Sequence, residues 1–116
     1  MFTIELIGNL GRDAEIDNVN GVSFLSFRVA ATNTRKEKEG NKIEDTVWVS
    51  CTATPNESLC SYLTKGSTVF VRGRGKLSTY KSANGTAIDV SCRADELQLI
   101  TSTKHNNTGE NKDQIF

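Results

Sequence analysis

In the segment FVRGRGKLSTYK (70–81), Arg72, Arg74 and Lys76 occupy every second position, with Phe70 ahead of them and Tyr80 behind. A β-strand repeats every two residues, so these three cations share one face of a sheet. A second segment, TVWVSCTAT (46–54), carries the lone tryptophan. There Trp48, Ser50 and Thr52 alternate with Val47, Val49, Cys51 and Ala53, which puts the indole on the face away from the apolar row. Cations neutralise phosphates and flat rings stack on unpaired bases, so a face holding both suits single-stranded nucleic acid. Stacking contributes about 1–3 kcal/mol per base and tolerates any base.

Zero net charge conceals this arrangement, because charge is zoned along the chain. Glu5, Asp13, Glu15 and Asp17 oppose Arg12 alone in residues 1–17. From Ser58 to Ile88 there is no acid, while Lys65, Arg72, Arg74, Lys76 and Lys81 are positive. An anionic ligand responds to such a local field rather than to the total. At 116 residues the chain is expected to form one domain with a single small core. It has no apolar run near the roughly 18–20 residues that cross a bilayer, and its start lacks signal-peptide character. The expectation is a cytoplasmic protein with no membrane contact. Cys51, Cys60 and Cys92 are odd in number and form no CxxC pair, so they read as reduced, buried thiols.

The remaining elements must position those side chains. FTIELIGNLG reads as a first strand, with Gly8 and Gly11 marking a bulge or bend. A short polar stretch follows, and Asn20-Gly21 signals a hairpin turn. The second strand, SFLSFRVAATN, turns Leu25, Phe27, Val29 and Ala31 inward and Phe24, Ser26, Arg28 and Ala30 outward. A charged loop, TRKEKEGNKIED, leads to the third strand at 46–54. A helix follows, capped by Thr54 with Pro55 in its first turn and Glu57 closing a capping box. Its stripe is Leu59, Tyr62 and Leu63, and it stops at Lys65-Gly66. The fourth strand turns at Asn84-Gly85 into the fifth, TAIDVSCRADELQLI. Gly73 and Gly75 face inward, where they let the fourth strand coil through a barrel corner. Five strands with one short helix between the third and fourth predict an all-β, five-stranded Greek-key OB-fold barrel. From Thr101 onward the chain is polar and aperiodic, a disordered tail.

Catalysis has little to stand on. The lone histidine, His105, lies in the tail, and no cluster has metal-ligand spacing. GRGKLS brushes the phosphate-loop pattern, but Leu77 stands where Ser or Thr is required. No enzyme activity and no cofactor or metal are expected.

Across residues 2–100 the chain resembles the bacterial single-stranded DNA-binding protein family. IELIGNLGRDAEI is similar to that family's opening strand, with Ala14 at the usual proline. EDTVWV resembles its T-x-W/F-H segment, and YLTKGSTVFVRGRGKLSTYKSANG its Y-L-x-K-G-x-x-V-x-V-x-G hairpin. The resemblance implies an OB-fold that forms a homo-oligomer, usually a homotetramer, and wraps single-stranded DNA without sequence preference. By position, Trp48 and Tyr80 match aromatics that stack on bases. Arg35 and Thr54 fall where two further aromatics are common, and a guanidinium plane at Arg35 can stack or hold a phosphate. Phe70, Arg72, Arg74, Lys76, Lys81 and Arg28 complete the candidate DNA-binding set. The ending NKDQIF resembles the family's acidic tip, with Asp113, Ile115 and Phe116 matching. That match implies docking on replication and repair proteins. The competing functions are a primosome-type assembly factor on the same barrel, acting mainly through protein contacts, and RNA binding by the same stacking chemistry.

Overall fold

The computed structural model describes residues 1–104. Its elements are β1 (Thr3–Leu10), β2 (Glu15–Val19), β3 (Val22–Lys36), β4 (Lys42–Ala53), α1 (Glu57–Cys60), β5 (Thr68–Ser82) and β6 (Gly85–Thr101). Six strands form where five were expected. The additional one, β2, has Ile16 and Val19 as its only apolar residues, so its sequence carries no alternation signal. Its partner supplies the structure instead. Asn20 (φ 52°) and Gly21 (φ 83°) form the tight turn that folds β2 onto β3, and Asn18 Oδ1 accepts the Gly21 N–H at 3.2 Å.

The strand order is β1-β5-β6-β4-β3-β2, and β1 pairs again with β3, through Asn9–Ala30 and Leu10–Val29. Five strands therefore close a ring with β2 appended outside it. All neighbours are antiparallel except β4 and β6, which run parallel over Val49–Thr52 and Val90–Arg93. This is the Greek-key OB fold. Its interior takes Leu25, Phe27 and Val29 of β3 and Val49, Cys51 and Ala53 of β4 from the rows read in the sequence, with Ala31 only half-buried, and adds Val69 and Val71 of β5. Leu10, Leu63 and Cys92 complete the core. Val47 departs from its row and is 44% exposed, because β4 before Val49 pairs only with β3 and leaves the ring as a two-stranded ribbon.

The charged stretch 34–45 is mostly that ribbon and not a loop. Pairing continues to Lys36–Lys42, leaving a turn at Glu37–Asn41. The helix is also shorter than expected, at four residues. Asn56, not Thr54, is the cap, and its Oδ1 accepts the Leu59 N–H at 3.0 Å. Asn directly before the first helical residue is the stronger cap, and Thr54 lies beyond its reach at the end of β4. At the other end, Thr101 closes β6, and the next residues are tied to the barrel instead of starting a tail. Ser102 Oγ donates to the Tyr62 carbonyl at 2.6 Å, Thr103 Oγ1 to the Lys65 carbonyl at 2.7 Å, and Thr103 N to the buried Ser67 hydroxyl at 3.1 Å. His105 and the proposed tip, Asp113, Ile115 and Phe116, lie outside the described residues.

Gly73 is buried where β5 pairs with β6. The register slips between Arg72 and Gly73, leaving Asp95 as the extra residue of β6, a bulge that bends the sheet. A Cβ on Gly73 would overlap the Arg93 carbonyl and come within 2.7 Å of the Ala94 Cα. On Gly75 it would meet only side chains, Ile4 Cγ1 at 2.5 Å and Phe2 Cε2 at 2.8 Å. Backbone yields less than a side-chain tip. Gly73→Ala should therefore cost roughly 1–3 kcal/mol or more in urea unfolding, and Gly75→Ala distinctly less.

Burial pushes the Cys51 thiol from its ordinary 9.0 up to about 12, and its neighbour Cys92 adds to the shift. Cys92 and Cys60 are raised as well, chiefly by burial. Above pH 9 the unfolded chain releases the Cys51 proton that the folded chain keeps, so the folded state gains nothing from alkali. This contribution is complete below pH 9 and is lost as the pH climbs toward about 12. The urea midpoint should fall across that window, and Cys51→Ala should flatten the fall.

Candidate nucleic-acid interface

Outward side chains line up across four strands through the register of the sheet. Arg28 of β3 stands opposite Ser50 of β4, Ser50 beside Ser91 of β6, and Ser91 opposite Lys76 of β5. One row farther along, Ser26, Thr52, Arg93 and Arg74 are aligned in the same way. On the other side of the Arg28 row, Trp48 stands opposite Ala30. Strands lie about 4.8 Å apart, so the rows form one continuous outward band.

Trp48 is 44% exposed, on the face the alternation required. The Arg28 guanidinium lies over its ring at 5.3 Å from the centroid. Gly11 sits against the ring edge: a Cβ there would fall 2.6 Å from Trp48 Cζ3. Absence of a side chain at Gly11 thus leaves room for the indole where it lies, a role more specific than the bend expected of it. Gly11, Arg12, Arg28 and Trp48 enclose an open hollow of about 300 Å³.

The other candidates divide. Arg74 and Lys76 are exposed and, among the described residues, have no ion-pair partner. Arg72 is different. Its guanidinium reaches Glu96 at 2.7 Å and Glu5 at 3.7 Å, so the stretch without acids in sequence is not without acids in space. Tyr80 is 54% exposed on the part of β5–β6 that projects beyond the ring, with Lys81 next to it facing Thr86. Arg35 lies on the β3–β4 ribbon and is bound to Asp45 at 3.4 Å. Phe70 does not join the band. It is half-buried opposite Ile7 of β1 and lines a hollow with Ala31 and Asn33, on the side of the β3–β4 ribbon away from Trp48.

Two residues of the band were not singled out from the sequence. Arg93 is exposed and sits between Thr52 and Arg74. Its place depends on the parallel pairing and on the bulge at Asp95, neither of which has a local signal. Arg12 borders the indole's hollow, although in sequence it is the single base of an acidic stretch. No helix among the described residues is long and apolar enough to cross a membrane.

The sequence and the fold were also compared with known proteins. Residues 1–100 match the model of the single-strand binding protein family. A single-stranded DNA-binding protein of Neisseria meningitidis is 33% identical over 110 residues, 90% of this chain and 62% of the relative. One from Xylella fastidiosa is 32% identical over 99 residues, 82% of this chain and 60% of the relative. The chain thus spans about three fifths of the length of these relatives. Among solved structures, a small single-stranded DNA-binding protein from Streptomyces coelicolor superposes with a TM-score of 0.70 at 19% identity, covering 85% of this chain and 94% of that one. The Plasmodium falciparum protein, in a complex with single-stranded DNA, gives 0.66 at 20% identity, covering 86% and 95%. At that identity the two structures speak for the fold. Given the extent of the family match, the chain belongs to the single-strand binding protein family.

Proposed function

We propose that this chain binds single-stranded DNA without sequence preference and covers it during replication, recombination and repair. The observation that carries the proposal is Trp48, a half-exposed indole against Gly11 and under Arg28, at one end of a band that continues to Lys76, Arg93 and Arg74. The band offers a ring for bases and unpaired cations for phosphates, with serine and threonine hydroxyls between them. Stacking on a ring and contacts to phosphates, the chemistry this band offers, do not depend on which base is present. Tyr80, on the projecting hairpin, extends the same surface.

Other parts of the proposal rest on the family likeness. The barrel is the binding domain, and the residues after it form a tail whose Asp113, Ile115 and Phe116 dock replication and repair proteins in the cytoplasm. The working form is a homo-oligomer, with a homotetramer favoured. Ile7 and Ile100, 59% and 52% exposed, are apolar side chains that a second copy would cover.

Trp48 is the only tryptophan, so its emission reports directly on the surface. Addition of oligo-dT at low salt should quench it, and unchanged emission would reject the proposal. In a salt series, log K should fall by about 0.7 for each phosphate neutralised per unit of log[salt].

The ion pairs rank the cations. Because Arg72 is already held between Glu5 and Glu96, Arg72→Ala should leave the salt slope nearly unchanged. Arg74→Ala and Lys76→Ala should each lower it by about 0.7. Equal effects of all three substitutions, measured by Trp48 titration, would show that the carboxylates do not restrain Arg72.

A further inference from the structure

Arg74 and Arg93 are direct cross-strand partners on the outward face of β5 and β6. Like charges directly opposite each other destabilise a sheet. Both are exposed, and neither has a carboxylate partner among the described residues. Such a pair is relieved by an anion lying between its two guanidinium groups, and each group offers the planar fork of donors that fits a phosphate. Arg93 also borders a groove of about 470 Å³ at the end of the band away from Trp48. Phe24 lines the same groove, with Thr52 and Thr54 beside it and Pro55 at its edge. Phe24 is half-buried and outward, six residues from Ala30, the partner of Trp48. At about 3.3 Å per residue its ring stands roughly 20 Å along the strand from the level of the indole.

We propose that this groove is a second nucleotide subsite, in which Phe24 stacks on a base and the Arg74–Arg93 pair clamps an adjacent phosphate. The proposal rests on the DNA-binding reading and deepens it. The occupant is one nucleotide of the strand that also passes Trp48. Continuity of the outward rows from Arg28 and Lys76 to Thr52, Arg93 and Arg74 connects the two ends. An apolar protein segment would satisfy Phe24 and Pro55 but would leave the paired charges of Arg74 and Arg93 unrelieved, which favours the nucleotide.

The test uses the full chain and oligo-dT. Phe24→Leu keeps an apolar side chain but removes the ring, and it should weaken binding by about 5- to 150-fold, the range of one lost stack, while Trp48 is still quenched at saturation. Arg93→Ala should lower the salt slope by about 0.7. A direct reporter is the double variant Phe24→Trp, Trp48→Phe, whose introduced indole should lose emission as oligo-dT is added. Full affinity in Phe24→Leu, or an introduced indole indifferent to saturating DNA, overturns the subsite while Trp48 quenching in the parent leaves the broader reading intact. Absence of Trp48 quenching in the parent overturns both.

Discussion

The four-residue parallel ladder between β4 and β6 is the constraint on which the surface depends. One half of the candidate interface, Arg28 and Trp48, is built on the β3–β4 hairpin; the other, Arg74, Lys76 and Arg93, on the β5–β6 hairpin. Within the outward band these halves meet only where Val49–Thr52 runs beside Val90–Arg93. The inward side chains of that ladder, Val49, Cys51 and Cys92, are buried, so apolar packing on one face sets which polar side chains adjoin on the other. A slip of one residue would turn the whole outward row into the barrel.

Once register is set, local pairing decides which charges remain available. Arg72 and Arg74 are alike in sequence, separated by a glycine and on the same face of one strand. They differ because β1 brings Glu5 and the bulged β6 brings Glu96 to Arg72, whereas Arg74 meets Thr3 and Arg93. Arg35 is restrained in a similar way by Asp45. The band is therefore positive where it lacks partners, not wherever cations are frequent in the sequence. Gly11 shows the same economy for the ring, since an omitted side chain leaves the space the indole occupies.

Much of this was legible from residue order. Alternation in β3 and β4 identified the core rows and placed Trp48 outside, because period-two patterning is a local property of each strand. Local signals of the kind that mislead were the capping box at Thr54, the polarity of 34–45 and the polarity of Ser102 and Thr103. In each case a partner overrode composition: Asn56 lies closer to the helix start, the charged stretch pairs with itself as a ribbon, and Thr103 is bonded to Ser67 and Lys65. β2 went unread for the same reason, since its structure comes from β3.

By itself, then, the order of residues determined the face each strand presents, the barrel those faces imply, and the chemistry of rings and cations on the outside. Only the tertiary structure decided which of those side chains are neighbours. Arg93 beside Arg74, Phe70 parted from Trp48, and Arg72 bound by two glutamates all follow from pairings between distant segments and from a single bulge. Such pairings depend on how strands close into a ring, and no short window of sequence encodes that closure.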